Sequence, residues 1–449
     1  LNAQIHDISH LETQEERDQA IDKIQQEDRA IAFELTKPTL LRLHIIKQKE
    51  KLYTVIKSEH HSITDGWSMP ILLSNLHEYY YKINKNIKLN IKPDNAYIDA
   101  QEYIFKNAID IQKYWQKNIK QIEGVNDINS LLSTSVDINS YKYVELPEEC
   151  SFKIDGELYK KVKNLSAKHG LTTNVIVQFI WHKLLQVYTS SNTSIVGTII
   201  SGRDLPVDGI EESVGLYINT LPLIIDWENN HSILEQLLQI QTKITEMNTH
   251  GFVELAKLQK NGERLFHSLF VFENYPSPKH NEYTNQLELK KSVEKVDYPL
   301  NILAFDAEQT LTITLQYDEA YLSKQKALGH TNTLKSILNQ LIEDAELNHN
   351  KIALINKEAY NTIVKEWNQT EKVFPKEMTI QQAFEEQVIK APNNTAIVFE
   401  DKKLSYQELH EKSNQLARHI REQYQVKIGN SLTPDTLIAL YLDRGLEMI

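Results

Sequence analysis

One cysteine, Cys150, stands in a chain of 449 residues. A single thiol closes no internal disulfide and builds no multi-thiolate zinc site. A reducing, cytoplasmic setting is therefore expected, with Cys150 as an ordinary thiol. Long apolar runs are also missing: no window reaches the roughly 18 apolar residues that a spanning helix needs, and the mean hydropathy is −0.45. No membrane passage is expected. Positive charge is not in excess either. The 49 basic residues face 61 acidic ones, a formal net charge of −12, which argues against a dedicated nucleic-acid binder. Proline and glycine are few, 12 and 13, so each one is informative as punctuation. No internal repeat or low-complexity tract is present. What remains is an ordinary globular mix, 41% hydrophobic and 24% charged, with length for about three folding units at ~150 residues each.

Residues 40–46 alternate, with Leu41, Leu43 and Ile45 on one face, and residues 51–57 are β-branched and aromatic. With polar Lys47 to Glu50 between them they predict a hairpin. Its second strand is expected to run into His60-His61. Ser68 then reads as an N-cap, with Pro70 in the first turn and Leu72, Leu73, Leu76, Tyr79 and Tyr80 at helical spacing. A second pattern starts near residue 155. Leu158, Val162 and Leu165 share a helix face ended by His169-Gly170, and Thr172 or Thr173 starts another helix through Leu184. Residues 194–200, 265–274 and 311–317 read as strands. Helix and strand mix in both halves, so two α/β lobes are expected, 1–152 and 153–350. A connector covers 351–378. A new unit spans 379–449, with a helix over 379–390, a strand at 396–399 and a turn at 400–402. The chain begins with Leu1 and stops after the apolar run 437–442, which reads as a strand about to continue. A piece of a longer polypeptide is expected.

The sharpest local feature is His60-His61-Ser62-Ile63-Thr64-Asp65-Gly66. The pattern His-His-x-x-x-Asp-Gly arises by chance in roughly 0.3% of chains this long, so it is informative. A histidine at a strand end can reach into a cleft as base or hydrogen-bond acceptor near neutral pH. Asp65 can fix the turn by accepting backbone or arginine hydrogen bonds, and Gly66 permits a sharp strand-to-helix turn. Adjacent strand residues point to opposite faces. His60 and His61 are therefore expected to point apart, one of them structural, and the two together are poor joint metal ligands. Trp67 reads as packing. The charged stretch Glu15-Glu16-Arg17-Asp18 reads as a solvated helix face.

Extended by Trp67-Ser68, this motif resembles the signature of the condensation domains of nonribosomal peptide synthetases. Further segments are similar in the family's order: Tyr97-Ile-Asp99 with Tyr114-Trp115, Gly197 to Arg203, Val214 to Thr220, Phe272 to Pro276, and Tyr298-Pro-Leu300. The resemblance covers about residues 1–365. From 366 onward, Trp367-Asn-Gln-Thr, Phe374-Pro, Thr379-Ile380 and Leu404 to Leu409 resemble the start of an adenylation domain. No Ser/Thr/Gly-rich phosphate loop and no Gly-Gly-x-Ser carrier motif is present. This piece is thus expected neither to activate an amino acid nor to carry a covalent cofactor.

The resemblance implies two chloramphenicol-acetyltransferase-like α/β lobes in a V shape, followed by the truncated N-terminal part of an adenylation domain. It implies a tunnel between the lobes, entered by the phosphopantetheine arms of an upstream and a downstream peptidyl carrier domain. There an acyl or peptidyl thioester would pass to the amine of an aminoacyl thioester. The resemblance implies that His61 is the histidine facing this tunnel, where it would remove the amine proton, or position the amine and stabilise developing charge, and that leaves His60 structural. Asp65 would orient and hold the fold. Asn219, with Tyr217, would approach the tunnel or else satisfy backbone groups, and Arg203 would be a solvated or floor-loop residue, or touch substrate or pantetheine. His250 and His267 carry no supporting spacing. The family's arginine partner for the motif aspartate sits on an N-terminal motif, and Leu1 begins downstream of it, so Asp65 is expected to lack that partner. An epimerization-type domain, a non-catalytic carrier-docking module and a free-standing acyltransferase are the alternatives. The adenylation-like segment argues against the first and the last. No metal, nucleic acid or membrane is implied.

Overall fold

The computed structural model describes residues 2–120, 122, 124–259, 262–273, 288, 290 and 296–449. It divides into two compact units, Leu1–Tyr360 and Asn361–Ile449.

The first unit opens with a three-stranded sheet. β1 (Asn2–Asp7) lies parallel to β2 (Leu41–Lys49), and β2 pairs antiparallel with β3 (Leu52–Glu59) as the expected hairpin. Between β1 and β2, α1 (Gln14–Ala30) starts in a capping box in which Thr13 and Glu16 satisfy each other's backbone N–H. This helix selects the buried face of the sheet. Ile8, Ile46 and Ile56 pack under Leu11, Ala20, Ile21 and Ile24. Leu41, Leu43 and Ile45 are only half-buried, while His44, Ile46 and Gln48 on the other face are buried. A two-residue period separates faces but does not say which one a helix will cover. Asp28 of α1 draws His44 in at 3.1 Å, and Gln14 reaches Gln48 at 3.2 Å. Arg17 is likewise buried and not solvated, because its guanidinium donates to the Leu11 carbonyl at 2.6 Å.

Two helices follow, α2 (Ser68–Asn84) and α3 (Ala96–Ile119). The rest of the unit is built on a six-stranded mixed sheet. In chain order it comprises β4 (Pro147–Ile154), α4 (Gly156–His169), α5 (Thr173–Thr189), β5 (Thr193–Ile200), β6 (Asn219–Asp226), α6 (Ile233–Thr249), the short α7 (Leu255–Leu258), β7 (Leu269–Glu273), β8 (Leu300–Ala307), β9 (Thr310–Asp318), α8 (Lys324–Glu343) and α9 (Lys357–Tyr360). The strand order is β4-β9-β8-β7-β5-β6, with β7 parallel to both its neighbours. The division expected at 152–153 falls within β4.

Local signals explain the α4–α5 corner. Gly170 ends α4 with a left-handed φ of 66°, and the Thr172 hydroxyl caps α5 by accepting the Val175 N–H. α5 is apolar nearly all round and is the centre of the core, with Val175, Ile176, Val177, Phe179, Ile180, Trp181, Leu184 and Leu185 buried. The strand read over 265–274 starts later: of its described residues, 269–273 pair in the sheet. Of the Phe272 to Pro276 segment, residues 274–276 lie outside the described residues.

The second unit holds α10 (Ile380–Lys390), a hairpin of β10 (Thr395–Phe399) and β11 (Lys402–Ser405), and α11 (Tyr406–Ile428). Thr379 and Ser405 each start a helix through a capping box. The run 437–442 is not a strand. Leu437 and Tyr441 are fully exposed, and the described residues offer the run no strand to pair with; an apolar run alone does not make a sheet. No helix of the described residues is long and apolar enough to cross a membrane. No group of three His, Cys, Asp or Glu among them is arranged to hold a metal ion.

Candidate active site

β3 stops at Glu59, so His60 and His61 lie in the turn beyond it. The strand alternation used to separate their faces therefore does not apply. The His60 N–H donates to the Leu40 carbonyl at 2.9 Å, one rung past the hairpin. Its Nδ1 accepts the Ser62 N–H at 3.2 Å and meets Ser62 Oγ at 2.9 Å. Because a backbone N–H can only donate, Nδ1 is the acceptor and the ring proton of the neutral imidazole is assigned to Nε2. Phe33 meets the ring edge-on at 6.1 Å between centroids. His60 is thus half-buried and occupied within its own turn, while His61 is exposed.

The base of this turn is buried and heavily bonded. Asp65 is 5% exposed. Its Oδ1 accepts the Ser68 N–H at 2.8 Å, the Ser68 hydroxyl at 2.7 Å and Arg203 Nη2 at 3.0 Å. Its Oδ2 accepts Arg203 Nη2 at 3.2 Å and the Tyr217 N–H at 3.0 Å. Ser68 is therefore not the N-cap of α2 but its first residue, and the Asp65 carboxylate performs the capping. Trp67, at the cap position, already has helical φ and ψ and gives no side-chain hydrogen bond to the helix. The Ser68 hydroxyl also lies 2.9 Å from the Gly215 carbonyl and accepts the Gly215 N–H at 3.1 Å. Gly66 is not among the glycines with positive φ. The turn is held by what Asp65 accepts and not by a left-handed glycine.

Arg203 corrects two expectations. It is 4% exposed, hence not solvated. It is also the cation that Asp65 was expected to lack, arriving from 138 residues downstream. Its Nη1 donates to the carbonyls of Ile210 at 2.6 Å and Ser213 at 2.9 Å. Its guanidinium lies 4.2 Å from the Tyr217 ring and 5.6 Å from the Trp67 ring. Gly202 makes this approach possible. Its φ is +65°, and a Cβ there would sit 1.8 Å from the Tyr217 carbonyl oxygen. Trp67 is packing with one polar anchor, since its Nε1 donates to the Glu211 carbonyl at 3.0 Å.

Asn219 does not join this cluster. Its amide donates to the carbonyls of Gly251 and Val253, both at 2.7 Å, and its oxygen accepts the Thr220 N–H. It satisfies backbone groups, the plainer of the two expectations. His250 stacks on Tyr114 at 4.2 Å, and burial pushes His267 below the usual imidazole range. Gly202, Ser213 and the Tyr217 backbone are functional groups to which no motif assigns a role. Gly202 was the available signal, since glycine is the residue that accepts a left-handed φ and a close backbone approach.

Chemically, every lone-pair direction of Asp65 is engaged, so it is built to hold the turn and not to relay a proton. Of the two motif histidines, His61 is the one exposed to solvent. This arrangement, within a mixed-sheet α/β unit, coincides with a family match. The family model described as "Condensation domain" matches residues 1–364. The chain belongs to the condensation-domain family of nonribosomal peptide synthetases.

Condensation domains in these synthetases are acyltransferases that form peptide bonds between carrier-bound substrates. The chain is similar to N-(5-amino-5-carboxypentanoyl)-L-cysteinyl-D-valine synthase of Amycolatopsis lactamdurans, 33% identical over 458 residues, 99% of this chain and 12% of that protein. The chain thus spans about an eighth of that relative's length. Two solved structures share the fold. A four-domain nonribosomal peptide synthetase bound to AMP and glycine matches 94% of this chain and 33% of its own, with a TM-score of 0.61 at 15% identity. The first condensation domain of the calcium-dependent antibiotic synthetase matches 79% of this chain and 78% of its own, with a TM-score of 0.56 at 16% identity.

Proposed function

We propose that this condensation domain joins an upstream acyl or peptidyl thioester to the amine of a downstream aminoacyl thioester. Both substrates would be held on peptidyl carrier domains and delivered by phosphopantetheine arms into a tunnel between two chloramphenicol-acetyltransferase-like lobes in a V. The amine nitrogen attacks the thioester carbonyl carbon, the C–N bond forms, and the C–S bond breaks. His61 takes the amine proton, or holds the amine and stabilises the developing charge, and the leaving thiolate is protonated. Holding two tethered reactants together supplies much of the rate. Asp65 and Arg203, with Gly66, Trp67 and Ser68 around them, hold the turn. One observation carries this reading. An exposed His61 sits on a turn whose base is clamped by a buried carboxylate–guanidinium pair, within residues matched by the condensation-domain family.

The same reading makes residues 366–449 the start of an adenylation domain. It is supported by coverage: the four-domain synthetase matches 94% of the chain, whereas the single condensation domain matches 79%. The test is amide formation between loaded donor and acceptor carriers. His61→Ala is expected to slow it by about 10²-fold or more with an unchanged circular dichroism spectrum, since the side chain is exposed. Unchanged turnover refutes the assignment.

A further inference from the structure

The connection between α2 and α3 carries an acidic side chain that no motif contains. The Asp94 carboxylate accepts the Ser213 hydroxyl at 3.0 Å on Oδ1 and 2.8 Å on Oδ2. Oδ2 also accepts the Val214 N–H at 3.1 Å, and Oδ1 the Ala96 N–H at 3.1 Å. The Tyr217 hydroxyl donates to Ser213 Oγ at 2.7 Å. A single direction of donation follows, from Tyr217 to Ser213 to Asp94, because the carboxylate can only accept.

The residues on this path are those that hold the motif turn. The Ser213 carbonyl accepts Arg203 Nη1 at 2.9 Å. The Tyr217 N–H donates to Asp65 Oδ2, and the Tyr217 ring lies against the Arg203 guanidinium. Ser213, Tyr217, Arg203 and Asp65 are each 5% exposed or less, while Asp94 is exposed. The carboxylate is therefore a surface peg anchoring a buried segment. Arg203 lies between two anions: Asp65 in direct contact, and Asp94 through Ser213.

We propose that Asp94 is a positioning residue for the condensation reaction. It pins residues 213–217, so that Arg203 and Tyr217 hold Asp65, and through Asp65 the turn that carries His61. The kinetic half rests on the amide-forming reading above; the mechanical half stands without it. A simpler role would be to start α3 through the Ala96 N–H, and Ser213→Ala separates the two because it leaves that bond intact.

The experiment uses the full chain and compares wild type, Asp94→Ala, Asp94→Asn, Ser213→Ala and the double alanine variant. Amide hydrogen exchange at Tyr217 is expected to rise at least tenfold in each single alanine variant and no further in the double, with β5 and β6 amides unchanged. Amide formation is followed with N-acetylcysteamine thioesters, an N-acetylated aminoacyl donor and a free aminoacyl acceptor. The expected result is a roughly tenfold lower kcat with KM within twofold, largely restored in Asp94→Asn, which still accepts from Ser213. Unchanged Tyr217 exchange overturns the proposal, as does faster exchange with an unaltered kcat or a wild-type Ser213→Ala. His61→Ala is the control. If it turns over like wild type, the amide-forming reading falls, while the exchange data still judge the coupling.

Discussion

Asp65→Asn keeps the shape of the turn and removes one charge from a pair whose side chains are 2% and 0% exposed. In the wild type, five donor contacts converge on the carboxylate: three on Oδ1 and two on Oδ2. An amide has one acceptor oxygen. Its NH2 group would face either Tyr217 N–H and Arg203 Nη2, or Ser68 N–H and Arg203 Nη2. In both orientations donor meets donor, and the Arg203 charge loses its direct counter-ion. Removing one partner of such a buried pair costs about 3–5 kcal/mol, a large share of the roughly 5–15 kcal/mol that holds a domain folded. Urea unfolding followed by the fluorescence of Trp67, Trp115, Trp181 and Trp227 measures it. Arg203→Met should cost a similar amount. The Asp65→Asn/Arg203→Met double variant should fall short of the sum by about 2 kcal/mol, within the range seen for residues in contact. A loss under about 1 kcal/mol for Asp65→Asn, or a double variant additive within about 0.5 kcal/mol, refutes the clamp.

Two further outcomes are expected. Burial by itself raises the Asp28 carboxyl, but hydrogen bonds from Arg42, Ser58 and His44 outweigh it and hold its pKa at about 2. A carboxyl depressed below its unfolded value of ~3.9 gives stability that is present above about pH 4 and lost as pH falls toward 2. The gap in urea midpoint between wild type and Asp28→Asn should shrink from pH 5 to pH 2.5, and a constant gap contradicts the cause given. Gly202→Ala should destabilise by well over the roughly 1–2 kcal/mol of a left-handed residue alone, because its Cβ meets the Tyr217 carbonyl. A thermal melt matching wild type would show that the approach is not tight.

Much of the fold was legible wherever a signal and its effect lie within one element. Gly170 and Thr172 mark the α4–α5 corner because a left-handed C-terminal residue and a hydroxyl cap are decided by neighbours a few positions away. The β2–β3 hairpin and the capped helix α10 were readable for the same reason. Misreadings came where a distant element decides. The buried face of β2 was set by α1. The run 437–442 has a strand's composition and no partner among the described residues. Ser68 resembled an N-cap until Asp65, three residues earlier, proved to be the acceptor for its N–H and its hydroxyl.

The sequence by itself determined the motif at 60–66 and the family to which it points. These are matters of residue type and short spacing. Only the tertiary structure decided what holds that motif in place. Asp65 and Arg203 are 138 residues apart, and nothing in their spacing pairs them. The core formed around α5 carries the end of β5 to the start of α2. Burial then forces each charged group to find its opposite, because an unpaired charge there costs more than the fold can supply.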